Sequence, residues 1–177
     1  ELGIPNQTLR EAIKTFKGVK RRFTEVLNVN EIRVIDDYAH HPAEIMAVVD
    51  SAKQTCKGKI YMVMQPHRYS RLKTFFEEFA RCYAEVEKVL ICDVYAAGEE
   101  ENGFSGELLS QAVNKHSNNA IYATDFNKVD EYLTSSVMPG DLVVFVGAGN
   151  ITSWAHALGE SWKTNPPANY FYRAAKA

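Results

Sequence analysis

Across 177 residues, 20 Lys and Arg oppose 22 Asp and Glu, and 46% of the side chains are hydrophobic. That length fits one compact domain with a short extra piece at either end, large enough to bury a core without a disulfide or metal staple. A formal charge of −2 leaves no basic face to neutralise nucleic-acid phosphates, and no apolar run approaches the roughly 20 residues of a membrane helix.

In chain order, Pro5 to Phe16 reads as a helix with Leu9, Ile13 and Phe16 on one face. Gly18 ends it, and the basic cluster Lys20, Arg21 and Arg22 follows. Phe23 to Val29 is a strand, joined through Asn28 to Glu31 as a hairpin to the apolar run Ile32 to Ile35. Pro42 then starts a helix whose Ile45, Val48, Val49 and Ala52 recur at three- and four-residue spacing. Further apolar runs at Ile60 to Met64, Val89 to Cys92, Ala120 to Ala123 and Leu142 to Val146 alternate with helical stripes. Those stripes are Leu72, Phe75, Phe76, Phe79 and Tyr83, then Leu108, Leu109, Ala112 and Val113, then Val129, Tyr132 and Leu133. A last helix starts near Ile151 and carries Trp154, Leu158 and Trp162, and Asn165 to Ala177 reads as a surface tail. Short runs that are apolar on both faces, alternating with helices, predict an α/β fold with a mostly parallel sheet of about six strands covered on both sides. The first thirty residues break this rhythm and look like the end of something else joined to the main domain.

Ligands of such sheets bind beyond the carboxyl ends of the strands, and four segments there carry chemistry. In Asp36-Asp37-Tyr38-Ala39-His40-His41-Pro42, the acidic pair suits a metal ion or the hydroxyls of a ribose, and an imidazole at a helix start suits a phosphate. The plainer reading makes one aspartate a helix cap and the histidines surface residues. In Gln65-Pro66-His67-Arg68-Tyr69-Ser70-Arg71, two guanidiniums three residues apart beside His67 form a fork for a carboxylate or phosphate. The plainer reading is a solvated basic turn paired with nearby acids. Asp93 to Gly106 is a long loop with Gly98, Gly103 and Gly106, fit either to close over a ligand or to be a permissive surface excursion. Gly147-Ala148-Gly149-Asn150-Ile151-Thr152 is a glycine turn into a helix, with neither a dinucleotide fingerprint nor a phosphate loop. Cys56, Cys82 and Cys92 are scattered and have no metal-type spacing, so they read as packing residues in a reduced, cytoplasmic setting. Asp36, Asp37 and Asp93 also admit a rival: a receiver-like signalling domain with Asp93 as phosphoacceptor.

Five segments in order, Phe16-Lys17-Gly18-Val19-Lys20-Arg21-Arg22-Phe23, Asp36 to Pro42, Gln65 to Arg71, Asp93-Val94-Tyr95-Ala96-Ala97-Gly98-Glu99 and Gly147 to Ile151, resemble the C-terminal domain of the Mur ligase family of bacterial peptidoglycan synthesis. The resemblance implies a three-layer Rossmann-like domain over residues 24–165. Before it, residues 1–23 would be the last helix of a central ATPase domain plus a hinge, and residues 166–177 a tail. It implies an ATP- and magnesium-dependent ligase that joins L-alanine to UDP-N-acetylmuramate through an acyl phosphate. Magnesium would be held mainly by the central domain, since this sequence has no phosphate loop, and the chain alone would be inactive, with no independent catalytic residue. Its start at Glu1 then reads as a cut inside a longer chain. By resemblance, Arg22, Asp37, Tyr38 and His40 serve ATP, and His67, Arg68 and Arg71 grip the alanine carboxylate. The loops of Tyr95, Gly147 and Asn150 border the closed cleft.

Overall fold

The computed structural model describes residues 3–15 and 19–167. Helix α1 (Asn6–Thr15) is followed by β1 (Thr24–Val29), β2 (Ile32–Asp37), α2 (Pro42–Thr55), β3 (Ile60–Met64), α3 (Tyr69–Thr74) and α4 (Phe76–Arg81). Then come β4 (Lys88–Ile91), α5 (Gly106–His116), β5 (Ala120–Tyr122), α6 (Phe126–Ser136), β6 (Leu142–Val146) and α7 (Ile151–Thr164). The six strands form one sheet in the order β1-β2-β6-β3-β4-β5. All neighbouring pairs are parallel except β1 with β2.

The β1–β2 hairpin closes on Asn30 and Glu31, which both take positive φ, 53° and 65°. Two such residues in succession give the turn twist that matches paired strands. Along the parallel strands successive residues alternate between the two faces of the sheet. Ile35, Ile60, Met62, Met64, Val89, Ile91, Leu142, Val144 and Val146 face one cluster, which is covered by α2 to α5. Val34, Tyr61, Val63, Leu90, Cys92, Val143 and Phe145 face the other, which is covered by α6 and α7. Every parallel strand except the short β5 edge is therefore apolar on both sides, the condition for a three-layer α/β/α domain.

Two helical expectations change in detail. The Leu72 to Tyr83 stripe is split at Phe75 into α3 and α4, while Leu72, Phe79 and Tyr83 still share the core. Leu108 is 39% exposed, so the α5 stripe rests on Leu109 and Val113. Helix α1 contributes no buried residue, and Leu9 and Ile13 are 43% and 73% exposed. Phe16 and Gly18 lie outside the described residues, as does the tail from 168 onward. Among the described residues, no helix is long and apolar enough to cross a membrane.

The topology decides where a ligand can sit. The connections leaving β2, β3 and β4 run over one face, whereas those leaving β5 and β6 run over the other. The last strand, β6, lies between β2 and β3. Its outgoing helix therefore diverges from those of both neighbours, and a crevice opens at its carboxyl end.

Candidate active site

Asp37, Val146, Met64 and Ile91 stand level across the sheet. The segments that begin just beyond them carry the polar residues singled out in the sequence. From β2, Asp37 turns inward and is 4% exposed. One carboxylate oxygen accepts the Phe23 amide at 2.6 Å and the other the Ala39 amide at 2.8 Å. Asp36 is also buried. It accepts the Thr152 hydroxyl at 2.6 Å and faces the Arg21 guanidinium at 3.6 Å. Neither aspartate caps α2. That place is taken by His41, whose Nδ1 accepts the Ala43 amide at 3.3 Å, and whose ring packs on Phe75.

The two adjacent arginines part ways. Arg21 folds inward and donates to the carbonyls of Gly147 and Gly149, while its own carbonyl accepts the Tyr38 amide at 2.8 Å. Arg22 stays exposed. Both guanidiniums stand over the Tyr38 ring, at 4.8 and 5.7 Å from its centre. Arg21 and Phe23 hold positive φ, 57° and 47°, a conformation that costs a non-glycine residue about 1 kcal/mol or more. The anchors on Asp37, Asp36 and Gly147 keep the turn in it.

From Tyr38 a row of rings crosses the strand ends. Tyr38 meets His40 edge-on at 5.3 Å, His40 tilts against His67 at 5.8 Å, and His67 stacks on Tyr95 at 5.3 Å. His40 Nδ1 lies 2.9 Å from the Tyr38 carbonyl, and its backbone amide donates to Glu44 at 2.9 Å. Partial burial works against the charge on Glu44. The His40 amide, the His40 ring and Arg22 outweigh it and hold the carboxyl below its usual 4.5. His67 goes the other way from an ion-paired histidine. Burial, then Arg71, His40 and Arg68, depress it below its usual 6.5, so the ring is neutral at pH 7.

Arg68 occupies the N-cap position of α3 with φ 72° and ψ 130°, and Arg71 follows one turn on, with Nη1 donating to the His67 carbonyl at 3.3 Å. Arg71 thus lies in the first turn of α3 while Arg68 stands just ahead of the helix, so the two do not share a helical face in the way that their spacing suggests. The Asp93 to Gly106 loop folds back onto them. Tyr95 exchanges backbone hydrogen bonds with Pro66 and Arg68 at 2.8 and 2.9 Å, and the Glu99 carboxylate accepts both the amide and the hydroxyl of Ser70 at 2.8 and 2.6 Å.

The glycine turn after β6 is shaped by packing. A Cβ on Gly149 would lie 2.5 Å from Gln65 Oε1 and 2.7 Å from the Tyr95 ring, and one on Gly147 would lie 2.9 Å from the Gln65 carbonyl. Gln65, buried at the end of β3, donates to Asn150 Oδ1 at 2.9 Å and accepts the Ile151 amide at 3.3 Å. The cluster is open to one side, with Tyr38 36% and Tyr95 40% exposed. A cavity of about 200 Å³ lined by Arg33, Cys56, Lys57 and Asp141 lies by the amino ends of β2 and β6, at the opposite end of the strands from this chemistry.

A family model described as "Mur ligase, glutamate ligase domain" matches residues 21–149, from the Arg21 turn to the glycine turn. The chain belongs to the Mur ligase family. The UDP-N-acetylmuramate–L-alanine ligase of Paramagnetospirillum magneticum is 48% identical over 160 residues, covering 89% of this chain and 34% of that relative. The ligase of the same name from Rhodospirillum rubrum is 42% identical over 160 residues, 33% of its length. The crystal structure of the UDP-N-acetylmuramate–alanine ligase MurC from Thermotoga maritima superposes with a TM-score of 0.72 at 26% identity, over 92% of this chain and 34% of that one. The chain thus spans about a third of the length of the relatives it matches.

In this Mur ligase domain the receiver-like arrangement does not form. That rival needs Asp36, Asp37 and Asp93 around one ion, but β6 and β3 stand between β2 and β4. Three strand spacings separate the two strand ends, about 14 Å. Among the described residues, no three His, Cys, Asp or Glu side chains converge on a metal position. Burial pushes the Cys82 and Cys92 thiols up to about 12, so both pack rather than react.

The sequence did not single out Gln65, Glu99 or Thr152, and it grouped Arg21 with Lys20 and Arg22 as one basic cluster, whereas the structure turns Arg21 inward onto Asp36 and the glycine turn. Gln65 and Glu99 lie inside segments that drew notice for their neighbours. For Arg21 no signal separates it from Arg22, because the backbone turn alone decides which of the two points inward.

Proposed function

We propose that this chain is the C-terminal domain of an ATP-dependent ligase that adds L-alanine to UDP-N-acetylmuramate in peptidoglycan precursor synthesis. The observation that carries the proposal is the 48% identity to a UDP-N-acetylmuramate–L-alanine ligase over 89% of the chain. Residues 1–23 would be the last helix of a central ATPase domain and the hinge, 24–165 the domain itself and 166–177 a tail. An α1 with exposed Leu9 and Ile13 and no buried residue suits a helix whose apolar face rests on another domain. ATP and the nucleotide sugar are cytoplasmic compounds, and the protein would work there.

Within that reading the row Arg22, Tyr38 and His40 lies along the nucleotide, and Asp37 holds the ribose through lone pairs that its two backbone contacts leave free. His67, Arg68 and Arg71 take the alanine carboxylate: two guanidiniums supply the charge, and a neutral imidazole adds a donor without further repulsion. The Tyr95 loop, Gly147 and Asn150 form the floor against which the cleft closes. Magnesium, which screens the transferring phosphate, would be held by the other domains. The work of this domain is orientation. Holding the amine in line with an acyl phosphate replaces translational entropy, and closing the open shelf keeps water from that intermediate.

The two halves of the site make separable predictions. In the complete ligase, Arg71→Ala should raise the KM for L-alanine by about 10- to 100-fold, the loss of a charged hydrogen-bonded pair, and leave the KM for ATP alone. His40→Ala should do the reverse. Steady-state kinetics with each substrate varied decides, and unchanged alanine kinetics in Arg71→Ala would remove the carboxylate role.

A further inference from the structure

Helix α3 carries Arg71 and begins at Arg68, yet it spans only Tyr69–Thr74 and has no side-chain cap from its own N-cap residue. So short a helix is not self-supporting in water, and its N-cap residue sits at a φ of 72°. Something outside the helix must hold this turn. Leu72 anchors the helix in the core, and the outside polar contacts on its start come from the Asp93 to Gly106 loop. Tyr95 fixes the backbone of Arg68 at 2.9 Å, the Tyr69 hydroxyl reaches Glu101 at 3.4 Å, and Glu99 takes both donors of Ser70, at 2.8 and 2.6 Å. Ser70 lies between the two arginines in sequence, so a carboxylate clamped on it fixes the turn from which both guanidiniums project.

We propose that Glu99 is the positioning residue of the Arg68–Arg71 fork, setting its geometry through the two hydrogen bonds to Ser70; this rests on reading the fork as the carboxylate site. Glu99 also acts through charge. The Ser70 hydroxyl and amide, then Arg68 and Arg71, hold its carboxyl below the usual 4.5. The carboxylate thus offsets the mutual repulsion of two neighbouring guanidiniums while its oxygens are occupied by Ser70, so the fork keeps its donors for a ligand. On this account the loop's length serves to bring Glu99 back over the start of α3, and the turn at Ala97 and Gly98, both with positive φ, reverses the chain to do it.

The change Glu99→Leu keeps most of the bulk and removes both acceptors, whereas in Glu99→Gln the Ser70 hydroxyl can turn to accept from the amide. Two measurements test it. In the 177-residue chain, exchange at the Ser70 amide should speed up about tenfold in Glu99→Leu, while the β6 amides keep their protection. An unchanged Ser70 amide overturns the proposal. In the complete ligase, Glu99→Leu should raise the KM for L-alanine about tenfold with kcat and the KM for ATP little changed, and Glu99→Asp should recover part of the loss. Arg71→Ala run in parallel tells the two failures apart. If Arg71→Ala raises the alanine KM and Glu99→Leu does not, the positioning role is wrong. If neither does, the fork itself has been misread.

Discussion

His67 shows how far a single side chain depends on its surroundings. It sits at a strand end, stacked on Tyr95, with Arg71, His40 and Arg68 near enough to disfavour a further positive charge. An unfolded histidine takes up a proton near 6.5, and the folded one only at lower pH. Between those values the unfolded chain binds more protons, so this residue's contribution to stability is full above 6.5 and is lost as the pH falls through the folded value. An NMR titration of the ring should find His67 protonating below the ordinary histidine range. Arg71→Ala should move the midpoint up, and a His67 that titrates normally in the wild type would contradict its burial. Much of this residue's type and neighbourhood was legible from Gln65 to Arg71 as a string. Its neutrality was not, because burial, the chief cause, and the His40 ring in the connection after β2 both come from other parts of the chain.

At the scale of elements, the glycine turn between β6 and α7 owes its glycines to packing. Glycines ahead of a helix suggest backbone amides bared to an anion, but here they make room. Gln65 and Tyr95 press on Gly149, and Gln65 takes the Ile151 amide that an anion would otherwise meet. Gly149→Ala should therefore push Tyr95 off the turn and cost about 1–3 kcal/mol, the range for overpacking a tight contact. Chemical denaturation measures the loss. Tyr95 fluorescence or ring shifts should change with it, and a neutral Gly149→Ala would mean that the turn owes its glycine to something other than this packing. The helices and strands themselves were legible in sequence, since the helical stripes and the short runs apolar on both faces survive in the fold. The break at Phe75 was not, because Leu72, Phe79 and Tyr83 keep one apolar row across it.

At the scale of the molecule, the strand order separates the family reading from its rival. Asp36, Asp37 and Asp93 follow buried strands in any α/β arrangement, and only the insertion of β6 between β2 and β3 parts them. The same insertion opens the crevice and sets the Arg21 turn, Gln65 and the glycine turn around it. With one side of the cluster open and no phosphate loop in the sequence, the 177-residue chain given ATP, L-alanine and UDP-N-acetylmuramate should release no phosphate and form no amide. A coupled phosphate assay with mass spectrometry of the sugar product checks this, and turnover by the chain alone would overturn the division of labour proposed here.

The sequence by itself determined the layers, the order of the elements and the residue types that gather at the strand ends. Those follow from local periodicity and from the rule that loops beyond parallel strands are the exposed ones. Five ordered motifs also carried the family. What only the tertiary structure decided is which members of each polar segment turn inward and which stay exposed. Arg21 and Asp36 turned inward to each other and Asp37 took two backbone amides, while Arg22, Arg68 and Tyr38 stayed exposed. The reason is physical: a buried charge must find a partner. The partners here, Thr152 and the carbonyls of Gly147 and Gly149, lie more than a hundred residues away along the chain.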